Sequence, residues 1–210
     1  TPSLARQGLA SLSTILLNLA AGAYGDAAIA GMSIVSRIGM FINSFLIGFG
    51  QGFQPLCGFC YGAGLYSRVR RGFWFCVRVG FVFLTCCAVL GFGFAEEVVE
   101  LFRKGDPAVV ATGASALRWQ LVTYPLGTFV IISNMMLQTI RKPVRATILS
   151  SARQGLFFVP FIFILPRFFG LQGVEMCQAV SDLCTFLLAL PLTFGVLLEM
   201  KRQEGGSPVA

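Results

Sequence analysis

Long apolar segments separated by short polar or charged ones run along the whole chain. Six of them have about the length that a helix needs to cross a bilayer. They lie at about 4–23, 27–49, 73–94, 114–140, 146–165 and 173–198. Lipid offers no hydrogen-bond partners to a backbone, and the apolar residues are continuous rather than alternating, so helices are predicted rather than strands. The pattern predicts an all-α membrane protein, a six-transmembrane-helix bundle.

The domain organisation follows from the same segments. Residues 1–200 are predicted to form one six-helix transmembrane lobe, and residues 201–210 a cytoplasmic tail. The chain begins at Thr1 without an initiator methionine, a basic leader or a cleavage site, so the first segment is predicted to be a span and not a signal peptide. The sequence is expected to be a fragment of a longer protein.

Composition and charge agree with membrane insertion. Hydrophobic residues make up 56% and charged residues 12% of the 210 positions, whereas charged residues are about a quarter of a soluble protein. The net charge of +7 does not indicate nucleic-acid binding, because the cations lie in particular loops and not on one polar face. Nine of the 16 Lys and Arg residues lie on one side of the predicted bilayer and three on the other. The positive-inside rule then predicts that both termini lie in the cytoplasm. A multi-pass protein of the plasma (inner) membrane is expected.

Glycine and proline indicate where the helices are interrupted. Gly50, Gly52 and Pro55 follow the second apolar segment closely, so a bend or break is expected there. Pro125 and Pro160 lie inside the fourth and fifth segments, where each removes one backbone hydrogen bond and predicts a kink. Kinks of this kind are tolerated when neighbouring helices satisfy the freed carbonyls, which favours a packed bundle.

Two shorter features lie outside this scheme. Residues 95–106 are predicted to form an amphipathic segment on the outer surface, with Val98, Val99, Leu101 and Phe102 facing lipid and Asp106 capping the next helix. The pentapeptide Ala-Arg-Gln-Gly-Leu occurs at both 5–9 and 152–156, each time near an inner helix end. Common descent of the two copies and coincidence both remain open.

Ionisable residues inside the predicted spans are the strongest functional candidates, because such groups are costly in lipid. Glu175, Gln178 and Asp182 share one stripe of the last helix. At about 1.5 Å per residue, Asp182 lies roughly 13 Å below the outer boundary and Arg37 roughly 15 Å, so the two are expected within reach of each other. Either they form a static ion pair, or Asp182 is a proton or cation site. Glu175 is expected to be a wetted residue near the helix end.

The remaining polar candidates point to packing or to a cavity. Asn18 is expected to form a hydrogen bond between helices, and Gln54, beside the glycine-rich break, is expected to line a cavity. The chain has no histidine, which excludes a Ser-His dyad and a histidine metal site. An enzyme, a cofactor and a metal centre are therefore not expected.

Several motifs together resemble a known family. They are Gly25-Asp26 with Ala28-Ile29-Ala30, then Gly50-Gln51-Gly52-Phe53-Gln54-Pro55, then Tyr61-Gly62-Ala63 before Arg68-Val69, and finally Phe169-Gly170-Leu171-Gln172-Gly173-Val174. Their order resembles the carboxy-terminal half of the multidrug and toxic compound extrusion (MATE) family. The resemblance implies a six-helix lobe of an antiporter that exports small organic compounds, cationic or amphipathic, in exchange for H⁺ or Na⁺ by alternating access.

The resemblance also implies partners. These are a small-molecule substrate, the lipid bilayer and a second six-helix lobe, supplied either upstream in the same chain or by a partner chain. Family members often have an acidic residue in the first helix of this lobe, where this chain offers Asn18 and no carboxylate, so the coupling ion stays open. A flippase or exporter of lipid-linked saccharides with related architecture is the alternative, and Arg37 and Arg153 would suit its phosphates.

Overall fold

The computed structural model describes residues 2–206, with the side chains of Pro2, Ser3, Arg6 and Gln154 excepted. Helices account for nearly all of this range, and no strand occurs within it. In chain order the elements are α1 (Pro2–Gly22), α2 (Asp26–Gly62), α3 (Tyr66–Gly93), α4 (Ala95–Phe102), α5 (Pro107–Thr139), α6 (Pro143–Ser151), a π-helical segment (Ala152–Leu156), α7 (Phe158–Phe169) and α8 (Leu171–Gly206). The prediction of an all-α chain is confirmed.

Each predicted span coincides with helical structure, although the count of six is approximate. Four helices, α2, α3, α5 and α8, are long and apolar enough to cross a membrane. The first predicted span corresponds to α1, and the fifth is divided between α6, the π segment and α7. The last helix continues to Gly206, so the part of the predicted tail at 201–206 is helical. Residues 207–210 lie outside the described range.

Helix α5 forms the centre of the bundle and packs against α2, α3, α4, α6 and α8. Its buried positions occur on nearly every side, among them Leu117, Ile132 and Met136. Because lipid is as apolar as a leucine side chain, close packing holds these helices together more than water exclusion does. The Phe129 ring illustrates this packing, since it lies 5.8 Å from the Phe73 ring and 5.5 Å from the Phe186 ring between centroids.

Of the bend or break predicted in the second helix, the break is absent from the described residues, and the bend stays a prediction. Helix α2 runs without a break through Gly50, Gly52 and Pro55. Gly50 lies against the end of the Met135 side chain of α5, and Phe53 is buried, so contacts between helices support α2 where local propensity would weaken it. Pro55 costs the helix only one hydrogen bond. Helix α5 likewise continues through Pro125.

The real interruption lies in the fifth predicted span. The Phe157 N–H donates to the Ala152 carbonyl at 3.0 Å, which closes a π turn instead of an α turn. Pro160 follows closely and has no N–H to donate to the Leu156 carbonyl. Pro160 is the third residue of α7, so the distorted turn precedes the proline, and the kink at Pro160 stays a prediction.

The π segment is also the second copy of the repeated pentapeptide, and it touches the first copy. A Cβ atom added at Gly155 would lie 2.8 Å from Leu9 Cδ2. Gly155 thus allows α1 and the π segment to approach closely, as small residues do between membrane helices.

We expect the substitution Gly155→Val to destabilise the lobe by about 1–3 kcal/mol, because the added side chain overlaps Leu9. Gly8→Val is the matched control, since Gly8 occupies the same position in the first copy and a Cβ there meets nothing within 4 Å. Thermal unfolding in detergent, followed by size-exclusion chromatography, measures both. Equal melting temperatures for the two variants would contradict this contact, whereas partial rescue by Leu9→Ala would support it.

The outer segment partly follows its prediction. Helix α4 forms at Ala95–Phe102, and the Asp106 carboxylate accepts a hydrogen bond from the Val109 N–H at 3.4 Å as the predicted cap of α5. Leu101 is exposed, but Val99 is buried against Gly113 of α5 and does not face lipid. The helix therefore covers the end of the bundle.

Candidate functional site

Asp182 lies buried in α8, with 5% of its surface exposed, and forms an ion pair. Its Oδ1 accepts hydrogen bonds from Arg153 Nε and from Gln178 Nε2, each at 3.0 Å. The predicted pairing of Asp182 with Arg37 is wrong, because the Arg37 side chain is exposed on α2. The rise of a helix gives the depth of a residue but not the direction in which it points.

The π segment is what presents Arg153 to Asp182. In a regular α-helix the Phe157 N–H would bond to the Arg153 carbonyl, but here it bonds to Ala152 and leaves the Arg153 carbonyl free. The Ser181 hydroxyl donates to that carbonyl at 2.9 Å. Consecutive residues of α8, Ser181 and Asp182, therefore hold the backbone and the side chain of Arg153. Sequence reasoning assigned neither Ser181 nor this role of Arg153.

Helix α5 supplies a polar neighbour that sequence reasoning also missed. The Tyr124 hydroxyl donates to Gln120 Oε1 at 2.8 Å, and both side chains are buried. Tyr124 lies close enough to Asp182 and Arg153 to interact with their charges. Gly39 of α2 leaves the space that the Tyr124 hydroxyl occupies. The signal available in the sequence was a glutamine and a tyrosine four residues apart in an apolar segment.

Glu175 continues the same stripe toward α5. Ser115 Oγ donates to Glu175 Oε2 at 2.6 Å, and only 3% of Glu175 is exposed. The expectation of a wetted helix-end residue is therefore wrong. The shared stripe of Glu175, Gln178 and Asp182 holds in the structure, since Gln178 bonds directly to Asp182.

A second polar site lies between the second halves of α2 and α5. A cavity of about 490 Å³ is lined by Gln51, Gln54, Pro55, Gln138 and Thr139. Gln54 is one of its lining residues and lies in a continuous helix, while its role in ion coupling or in the transport cavity stays a prediction. Next to this cavity, Asn134 donates to the Ala146 carbonyl at 2.9 Å and to Ser150 Oγ at 2.7 Å, which ties α5 to α6.

Exposed polar residues form a stripe on each of the first two helices. On α1 they are Gln7, Ser11, Thr14 and Asn18, and on α2 the stripe consists of Arg37, Ser44 and Gln51, beside the exposed apolar Met40 and Phe41. The exposed surface of α3 carries Arg68, Arg71 and Arg78 in its first half and large apolar side chains, such as Val82 and Leu90, in its second half. Asn18 forms no interhelical hydrogen bond within the described residues, contrary to its prediction. The two polar stripes, on α1 and on α2, are together called the polar side.

Metal ligation finds no support in this part of the chain. Among residues 2–206, no cluster of three His, Cys, Asp or Glu side chains is placed to hold a metal ion.

The sequence profile described as MatE matches residues 2–164. Multidrug export protein MepA from Staphylococcus aureus strain NCTC 8325 / PS 47 is 28% identical over 189 residues, covering 85% of this chain and 41% of that protein. MepA from Staphylococcus haemolyticus is 26% identical over 180 residues, covering 85% of this chain and 39% of that protein. The chain thus spans about two fifths of the length of these relatives.

Solved structures match the fold closely. The Vibrio cholerae MATE transporter VcmN in its bent form superposes with a TM-score of 0.88 at 18% identity, covering 96% of this chain and 46% of that one. A MOP superfamily transporter from Pyrococcus furiosus, described as having a binding pocket of reverse polarity, superposes with a TM-score of 0.87 at 21% identity, covering 95% and 45%. At these identities the likeness concerns the fold alone.

Proposed function

This chain belongs to the MatE family, whose members are multi-pass membrane transporters and not enzymes, and from that premise we propose that it forms the carboxy-terminal lobe of a secondary active exporter. The exporter would move small organic compounds, cationic or amphipathic, out of the cell in antiport with H⁺ or Na⁺ by alternating access. The lobe would lie in the plasma (inner) membrane with both of its ends in the cytoplasm.

The polar side of the bundle carries this proposal. Arg37 lies roughly 15 Å along α2 from its outer end, near the middle of a bilayer, and its side chain is exposed. A charged group at that depth is unfavourable against lipid but favourable against water or a second protein lobe. The stripes of α1 and α2 therefore suit a surface that faces an aqueous cavity, with the apolar second half of α3 facing lipid.

A second lobe would complete that cavity. The chain covers 45% of the Pyrococcus furiosus transporter and 46% of VcmN, so more than half of each structure has no counterpart here. Two lobes that rock around a central site are the general requirement for alternating access. The second lobe would come from the same polypeptide or from a partner chain.

Asp182 is the proposed coupling residue. Arg153 and Gln178 both donate to the Asp182 carboxylate, so a proton or Na⁺ that binds there would have to compete with the guanidinium. Release of Arg153 would then loosen the contact between the π segment and α8. In this proposal Glu175 stays paired with Ser115 and supports the helix contact.

Transport by the assembled protein in proteoliposomes tests the proposal. We expect a fluorescent organic cation to move against its gradient when a pH or Na⁺ gradient of the right direction is imposed, and to stop when nigericin or monensin dissipates that gradient. The substitution Gln54→Leu is expected to lower the rate, because it makes the cavity wall apolar. Movement that ignores both gradients would contradict coupled export.

Export of lipid-linked saccharides remains the second candidate, and Arg37 on the polar side is the observation that favours it. Anionic phosphates call for several inward-facing cations. Of the two arginines expected to suit a phosphate, Arg153 is already paired with Asp182. Only Arg37 of these two is still available to an anion. Export of organic compounds is therefore the better supported proposal, and transfer of a labelled lipid-linked sugar across the same vesicles would reverse this order.

A further inference from the structure

A second, larger cavity opens at the opposite end of the bundle from α4, where α3 begins and α8 ends. It has a volume of about 700 Å³ and lies between these two helices, apart from the Asp182 site. Its polar lining is cationic, with Arg70, Arg71, Arg78 and Lys201. Its remaining lining is mostly apolar and aromatic. We call this cavity the α3–α8 groove.

Helix periodicity brings these side chains together. Arg71, Trp74 and Arg78 lie on one face of α3 at spacings of three and four residues, and Phe194, Leu198 and Lys201 repeat the pattern on α8. The Trp74 and Phe194 rings meet across the groove, with 6.0 Å between their centroids. The groove thus has an aromatic floor between two cationic edges.

The charges in the groove are largely uncompensated. Glu204 pairs with Arg70, but the described residues place no carboxylate within ion-pair distance of Arg71, Arg78 or Lys201. Arg70 Nε is buried and has no hydrogen-bond partner within this part of the chain. Four cations against one carboxylate leave a positive site with donors still available.

The depth of these cations matches the depth at which lipid phosphates lie. Arg71 is near the start of α3, and Arg78 lies roughly 10 Å further along it, inside the predicted span. A long arginine side chain at that position extends toward the headgroup region while its methylene groups remain against apolar surface. Leu198, 55% exposed, lies one turn nearer the bilayer centre than Lys201 on α8, and Phe75, 64% exposed, adds apolar surface on α3 between the depths of Arg71 and Arg78.

We propose that the α3–α8 groove binds an anionic phospholipid from the leaflet that this end of the bundle faces. The phosphate would lie among Arg71, Arg78 and Lys201, with Arg70 Nε as a further donor, and one acyl chain would lie along Trp74, Phe194 and Leu198. A free phosphate would use the cations and leave the exposed apolar floor uncovered, which is why the lipid is the better fit. The proposal requires membrane insertion but not export activity.

Trp74 provides a reporter inside the groove. The assembled protein is placed in nanodiscs that contain dibrominated phosphatidylglycerol or dibrominated phosphatidylcholine, and tryptophan quenching by each lipid is titrated. The signal that is lost in a Trp74→Phe variant isolates the contribution of Trp74. We expect the Trp74 signal to show a preference of about tenfold or more for the anionic lipid, since each cation near the surface contributes a factor of about five.

Two triple variants separate a site from general surface charge. Arg71→Gln/Arg78→Gln/Lys201→Gln is expected to abolish the preference, whereas Arg103→Gln/Lys104→Gln/Arg167→Gln, which removes three exposed cations at the opposite end, is expected to keep it. Equal quenching by both lipids in the native protein, or an equal loss in both triple variants, would overturn the proposal. Displacement of the lipid signal by millimolar inorganic phosphate would also overturn it, because it would identify a phosphate site without an acyl chain.

Discussion

Replacing Asp182 with asparagine is expected to abolish ion-driven export by the assembled transporter and to destabilise this lobe by about 3 kcal/mol. The loss of stability has a specific cause, because the change leaves the partly buried Arg153 guanidinium without its counter-charge, and breaking a buried pair by removing one partner is strongly unfavourable. The loss of export follows if Asp182 binds the coupling ion. Melting temperature and gradient-driven flux measure the two effects separately.

The double variant Asp182→Asn/Arg153→Gln separates the two roles. Because neither charge remains, most of the lost stability is expected to return, as it often does when a buried ion pair is replaced by neutral groups. Export is expected to stay absent. A double variant that exports at the native rate would show that the pair only fixes helix positions, and Asp182 would leave the mechanism.

Glu96→Gln is the matched control for this cycle. It also removes a carboxylate from an arginine, here Arg118, but both side chains of this pair are exposed. Exposed pairs of this kind contribute about 1 kcal/mol or less. Stability and export should therefore both stay close to native. A large loss would indicate that removing any arginine-paired carboxylate has this effect, so that the result at Asp182 would not be specific to that site.

Gly173→Ala is expected to prevent normal assembly of α7 and α8. A Cβ atom at Gly173 would overlap the Leu165 carbonyl group and lie 2.7 Å from the Pro166 nitrogen. Backbone atoms cannot move aside as a flexible side chain can, so the turn through Gly170 would have to open. A loss of about 3 kcal/mol is expected, seen as a low yield of monodisperse protein and a lowered melting temperature.

Gly127→Ala serves as the reference for that substitution. Gly127 lies inside α5, and an added Cβ there meets nothing within 4 Å. Alanine in a helix interior is favoured over glycine by about 0.5–1 kcal/mol, so this variant should be as stable as the native protein or slightly more stable. If Gly173→Ala behaved in the same way, the close approach of α8 to the Leu165 backbone would be contradicted.

The sequence predicted which residues are helical, because continuous apolar segments have few other solutions in lipid. It also predicted local features that depend on neighbours in the chain, such as the Asp106 cap and the shared stripe of Glu175, Gln178 and Asp182. Contacts between helices were harder to predict from the sequence. Arg37 and Asp182 were placed at similar depth, but the rotation of each helix is set by packing around α5, and Arg153 became the partner.

The positions of helix breaks show the same limit. Gly50, Gly52 and Pro55 are locally unfavourable for a helix, yet contacts with α5 keep α2 continuous. The π segment depends on Ser181, which satisfies the carbonyl that the widened turn sets free. A partner 28 residues away in the chain cannot be identified from local propensity.

The widened turn at Ala152–Leu156 also sets how far the side chains of α7 are rotated about the helix axis relative to those of α6. Such a turn holds about one residue more than a regular one, and each residue advances an α-helix by about 100°. The length of this stretch is thus as important as its composition, since losing one residue would rotate everything on one side of it by that angle and direct a different side chain at Asp182. Arg153 can pair with Asp182 only at this rotation of the helix.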